Sequence, residues 1–95
     1  MIKYQESLEY LQESLALAST VVGHNHPQYA IILNCLGLLY SAMGRYEDSL
    51  KVYQEVLLIN ATFLGKNSLD YLISKNNIGL TYFKLGRYKE SLEYI

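Results

Sequence analysis

Only a few side chains in this sequence could do chemistry. His24 and His26 stand two apart beside Pro27, and Cys35 follows in the next apolar stretch. A metal site needs three or four converging ligands, and two histidines with one distant cysteine do not supply them. No metal is expected. The lone Cys35 reads as a small apolar filler on a buried helix face. Glu6, Glu9, Glu47 and Asp48 fall where helices begin, and there acids answer the helix dipole. No glycine-rich phosphate loop, nucleophile elbow or pocketed carboxylate pair is present. The chain is therefore not expected to be an enzyme or to need a cofactor.

What must position any functional residue is a run of helices. The 95 residues are 51% hydrophobic and 18% charged, with a net charge of −1. A nucleic-acid binder would show a basic patch, so no nucleic acid is expected. No apolar run reaches the ~20 residues a membrane helix needs. Lys3, Glu6, Glu9 and Glu13 interrupt the first stretch, which excludes a signal peptide reading. One cysteine excludes an internal disulfide and fits a reducing, cytoplasmic place.

Tyr4, Leu8, Leu11, Leu15, Ala18 and Val22 recur at three- and four-residue steps, one apolar helical face. Gly23 closes that helix. A second is expected from about Pro27 to Met43, closed by Gly44, with Pro27 as a first helical residue. A third runs from about Arg45 to Leu64, closed by Gly65. Ser68 then caps a fourth, about Leu69 to Leu85, closed by Gly86. A fifth starts at Arg87. Nothing reads as a strand.

These helices repeat. Tyr4, Tyr46 and Tyr88 recur every 42 residues, and so do Ser7, Ser49 and Ser91, and Leu8, Leu50 and Leu92. Asn34 returns as Asn76, Gly37 as Gly79, Tyr40 as Tyr82 and Gly44 as Gly86. A helix-turn-helix unit cannot bury its apolar face alone, so such units stack. Gly37 and Gly79 have no side chain and let another helix come close.

The pattern Leu36-Gly37-x-x-Tyr40-x-x-x-Gly44-x-Tyr46-x-x-Ser49-x-x-x-Tyr53, repeated from Ile78-Gly79 to Ser91, resembles the tetratricopeptide repeat. The 42-residue period, Leu64-Gly65-Lys66-Asn67 and the Leu33-Asn34 and Asn76-Asn77 pairs are similar to the longer repeats of kinesin light chains and nephrocystin-3-like proteins. Ser7, Ser49 and Ser91 depart from the family, which usually has alanine there. The resemblance implies an all-α, right-handed solenoid of antiparallel helix pairs with about five helices. It divides 1–95 into units of about 1–26 (partial), 27–68 and 69–95 (truncated).

The resemblance also implies a concave groove lined by the first helix of each unit. Carried over, that places Ile31, Asn34, Leu38, Ser41 and Ala42 on it from one unit, and Ile73, Asn76, Leu80, Phe83 and Lys84 from the next. In kinesin light chains such asparagines hold an extended peptide backbone, which an amide suits because it both donates and accepts. The helix from Pro27 to Met43 carries no charge, so a clamp for a C-terminal carboxylate is not expected. The expected function is a protein-interaction scaffold binding a protein or peptide segment. The alternative is a structural segment that stacks on further repeats or on itself. The expected sticky end is the C-terminal one, where Arg87–Ile95 would lean on the preceding helix through Tyr88, Leu92 and Ile95.

Overall fold

Four glycines decide where the helices stop. The computed structural model describes residues 3–94. It contains α1 (Tyr4–Val21), α2 (Pro27–Ala42), α3 (Tyr46–Phe63), α4 (Leu69–Lys84) and α5 (Tyr88–Leu92), with no strand among the described residues. Gly23, Gly44, Gly65 and Gly86 all sit at positive φ, between 78° and 85°, a region any Cβ would strain. After α2 the Arg45 N–H donates to the Tyr40 carbonyl (2.8 Å) and the Gly44 N–H to that of Ser41 (3.0 Å). Arg87 and Gly86 repeat both bonds on Tyr82 and Phe83. These are Schellman closures, which satisfy carbonyls the helix end would otherwise leave unpaired. Each arginine then turns back over the tyrosine it bonds, 4.6 Å from the Tyr40 ring and 4.9 Å from that of Tyr82. Arg45 also pairs with Asp48 and Arg87 with Glu90, a hydrogen bond that holds the Glu90 carboxyl below its usual range.

The helix starts are less uniform. Ser68 caps α4 as expected, its hydroxyl accepting the Tyr71 N–H at 3.1 Å. At the equivalent place before α2 stands His26, whose Nδ1 accepts the Gln28 N–H at 3.0 Å. His26 is thus committed to a cap, and His24 stacks near Tyr29 with ring centroids 5.1 Å apart.

Each helix packs against its neighbours in sequence, α1 on α2, α2 on α3, α3 on α4 and α4 on α5. The result is a helical solenoid of antiparallel pairs. One core cluster joins Ala30 and Leu33 of α2 to Val56 and Ile59 of α3, with Leu15 of α1 against it. The second joins Leu50 and Tyr53 of α3 to Ile78 and Tyr82 of α4. Ile78 is fully buried and Val56 nearly so, and each buried side chain of this size stabilises by roughly 1.5–3 kcal/mol.

The serines that depart from the family pattern hold the helix crossings. Ser49 is fully buried and its hydroxyl donates to the Gly37 carbonyl at 2.7 Å, and Ser91 does the same to Gly79 at 2.8 Å. A Cβ on Gly37 would stand 2.5 Å from Cε1 of the buried Tyr53 ring. On Gly79 it would meet Tyr94 and the Ser91 carbonyl at 3.2–3.3 Å.

The seat of α5 differs from expectation. Tyr88, 59% exposed, meets α4 only by stacking edge-on with Phe83 at 5.2 Å, Leu92 is 71% exposed, and the buried contact to α4 runs through Ser91 and Tyr94. The counterpart of Leu92, Leu50, is buried against Ile78 and Tyr82 of α4, the helix that follows it. Ile95 lies outside the described residues.

Gly37→Ala is expected to destabilise by about 1–3 kcal/mol through overpacking on Tyr53. Gly79→Ala should cost less, because its neighbours need to move only slightly. Urea unfolding of the two variants checks the order, and equal curves would refute the packing argument. Burial raises the Tyr53 hydroxyl above its usual range. A raised folded-state value means stability that is complete below the unfolded value, about 10, and lost as pH climbs through the folded one. Tyr53→Phe should therefore flatten the alkaline limb of a stability profile measured from pH 8 to 11.

Candidate peptide-binding face

The first helices of the two units, α2 and α4, are tied side by side by two polar contacts. The Asn77 amide donates to Asn34 Oδ1 at 3.2 Å, and Lys84 Nζ to Ser41 Oγ at 3.3 Å. Lys84 also lies over the Tyr46 ring at 5.7 Å. Behind them Asn60 of α3, buried, donates to Ser74 Oγ at 2.8 Å and Ser74 to the Asp70 carbonyl. This chain of polar atoms fixes α4 against both α2 and α3.

Outward from that seam runs an apolar stripe. Ile31 is 59%, Leu38 54%, Ile73 47% and Leu80 50% exposed, so none of them is core. Cys35 and Ala42 share the open face of α2. The expectation of a buried Cys35 is thus corrected. The interior face of α2 is taken by Ala30, Leu33, Leu36 and Gly37, and Cys35 is rotated away from it. Phe83, 58% exposed, stacks edge-on with Tyr88 at 5.2 Å.

The ten candidate residues do not line one continuous hollow. Ile31, Asn34 and Ile73 border a cavity of about 310 Å³ between α2 and α4, floored by Val56 and Asn60 and rimmed by Cys35 and Asp70. Asn76, Leu80 and Phe83 border a second, of about 280 Å³, with Gly79 and Ser91 on the opposite flank of α4. Ser41 and Lys84 close the seam between α2 and α4 and line neither cavity, and Leu38 stands on the open stripe. Asn34 and Asn76, equivalent in sequence, therefore differ in circumstance. Asn34 is half-buried with its carbonyl engaged, whereas Asn76 is exposed.

Sequence reasoning missed Asn60 and Ser74, and named Asn77 only within the Asn76-Asn77 pair, without a role. Asn77 has Cys35 as its repeat counterpart, so the repeat pattern gave no reason to single it out. Among the described residues no three His, Cys, Asp or Glu side chains gather as a metal site would require. The stripe carries no charge between Asp70 near one end of α4 and Lys84 at the other.

Compared with known families, the sequence matches the tetratricopeptide repeat model over residues 3–57 and again over residues 29–95. No curated protein matches it.

Asn34→Ala should lower stability by about 0.5–1.5 kcal/mol, because it breaks the link to Asn77. Asn76→Ala, with no such bond, should leave the denaturation midpoint in place. Equal effects in urea titrations would contradict the asymmetry.

Proposed function

The chain belongs to the tetratricopeptide repeat family, whose repeats generally mediate protein–protein interaction, and from that premise we propose that the α2–α4 face binds an extended peptide segment of a partner protein. The observation that carries the reading is the uncharged stripe of Ile31, Leu38, Ile73 and Leu80, each about half exposed, with Ile31 and Ile73 bordering a cavity of about 310 Å³. Apolar side chains that are costly to leave in water at this density mark a surface to be covered. The cavity takes one side chain of the ligand. Cys35, Asn34 and Asp70 at its border supply polar partners for the adjoining backbone, the amide of Asn34 by its Nδ2. On the far flank Asn76 offers a free amide to the same strand.

The ligand class follows from charge. Lys84 is the one cation among the ten candidate residues, and it is already engaged by Ser41 and Tyr46. A carboxylate-terminated or strongly acidic segment would find little here, so the partner segment is internal and mixed or apolar. The 42-residue period and the Asn34 and Asn76 positions support a repeat of the kinesin light chain or nephrocystin-3-like type. Units of about 1–26, 27–68 and 69–95 and a cytoplasmic place, suited to the single Cys35, complete the proposal. No helix among the described residues is long and apolar enough to cross a membrane.

A random peptide library selected on the chain tests the reading. Enriched peptides should share one or two apolar anchors, and amidating their C-termini should leave affinity unchanged. Ile31→Ser with Ile73→Ser should weaken the best peptide at least tenfold, about 1.4 kcal/mol, with the helical circular dichroism retained. No enrichment, or affinity indifferent to both substitutions, would overturn it.

A further inference from the structure

The cavity between α2 and α4 holds an acceptor that the fold leaves unused. Asn60 of α3 is buried, and its amide nitrogen is spent on Ser74 Oγ at 2.8 Å and on the Asp70 carbonyl at 3.4 Å. The amide has only one sensible orientation. The Ser74 hydroxyl gives its single proton to the Asp70 carbonyl at 2.8 Å, so both groups can only accept from Asn60. Asn60 Oδ1 is therefore the atom left over, and no donor meets it among the described residues. Yet among those residues no fully enclosed side-chain nitrogen or oxygen lacks a partner. This oxygen accordingly opens on the cavity that Asn60 floors.

A second acceptor borders the same cavity. Asp70 stands at its rim, exposed, as the one charged residue of its wall. The ion pairs among the described residues, Lys3–Glu6, Arg45–Asp48 and Arg87–Glu90, leave Asp70 aside. An acid in the first turn of α4 is favoured by the helix dipole for its own sake, so the carboxylate alone would assign no ligand. The spare oxygen of Asn60 is the independent observation. Neither residue is repeat packing. Asn60, Asp70 and Ser74 correspond one period earlier to Ala18, Gln28 and Ile32, so the α1–α2 crossing has no such group. The rest of the wall is apolar, mainly Ala30, Ile31, Val56, Leu64 and Ile73.

We infer that the ligand side chain entering this cavity is basic, an apolar stem ending in a cation, as in lysine; the inference rests on the peptide-face reading above. The four-carbon stem of a lysine suits the apolar wall. Its ammonium carries three donors and no acceptor, which matches a site that offers two acceptors and a negative charge. A wholly apolar side chain would cover Asn60 Oδ1 and leave it with neither water nor partner, the costly arrangement for a polar group. An acidic side chain would set its charge against that of Asp70. A cation taken out of water needs such partners, and the open rim at Asp70 keeps the ammonium in reach of solvent. The segment is then a mixed one, with apolar residues along the stripe and one basic residue in the cavity.

Cys35, the single cysteine of the chain, borders the same cavity and lets it be probed without a peptide. The chain is equilibrated with symmetrical disulfides and their thiols, whose butyl arms end in an ammonium, a hydroxyl or a carboxylate. The Cys35 thiolate attacks the disulfide, keeps one arm as a mixed disulfide and releases the other as its thiol, and mass spectrometry reads the occupancy. The same exchange on the urea-unfolded chain supplies the reference for each arm. Relative to it, the folded chain should favour the ammonium arm about fivefold over the hydroxyl arm, as a hydrogen bond to a charged donor would give, and more over the carboxylate arm. Asp70→Asn, at an exposed position, should keep the helical spectrum and lower that preference, and Asn60→Leu should lower it as well. Should Asn60→Leu unfold, the unaltered chain in about 1 M salt makes the same separation, because attraction at an open surface is screened there while a preference set in the cavity persists. No preference for the ammonium arm, or one that a folded Asn60→Leu leaves untouched or that salt abolishes, overturns the inference. In peptides selected on the face, exchanging the basic residue for norleucine, the same stem without the ammonium, should weaken binding about fivefold. Selected peptides without a basic residue overturn the inference and leave the peptide face standing. No selected peptide, with the ammonium preference intact, overturns the peptide face and leaves the cavity's preference for a cation standing.

Discussion

A serine hydroxyl donating to a glycine carbonyl sets the distance at which each helix pair crosses. Ser49 to Gly37 and Ser91 to Gly79 are both buried, and both join residues twelve apart across a turn. The glycine removes the Cβ that would hold the helices apart, and the serine satisfies its own hydroxyl inside the closer gap. An alanine would fill the same space without a bond. The hydroxyl adds direction, because it reaches one carbonyl only when the helices are in register. Tyr53 then closes over Gly37 so tightly that a single methyl would not fit. From that crossing follow the positions of Val56 and Ile59 on one side and of Leu50 on the other.

The turns cooperate with the crossing. Gly44 and Gly86 end their helices in the left-handed region, and the next residue is an arginine both times. Its N–H closes the helix, its guanidinium covers the tyrosine of the helix just ended, and its Nε pairs with an acid of the helix just begun. The ion pairs are exposed and contribute little alone. Their part is to make the turn rigid, so that the crossing is reached from a defined angle.

Helix existence, the repeat and the glycine stops were legible in the sequence because they rest on local rules, spacing and φ. The exposed stripe of Ile31, Leu38, Ile73 and Leu80 was legible through the family pattern, since periodicity alone would equally have made it core. What escaped were properties that depend on the neighbouring unit. Asn34 and Asn76 look alike in sequence, yet α4 covers one and leaves the other open. Leu50 and Leu92 look alike, yet α4 covers Leu50 while Leu92 is exposed. Cys35 seemed an interior filler because α2 is apolar on all sides, which hides the direction of its buried face. A helix without charged residues gives little periodic contrast to read.

That uniformity of α2 also bears on what the chain can do. A helix apolar all round is either enclosed or meets something on its open side, and α2 has α1 and α3 on its inner sides with Ile31, Cys35, Leu38 and Ala42 left outside. α4 is built differently, with Asp70, Lys75 and Lys84 interrupting it, and it alone presents two flanks, one to α2 and one outward. The inner flank of α4 and the stripe of α2 thus present one continuous apolar surface, floored by Val56 and Asn60 of α3, which is the surface proposed for a peptide segment.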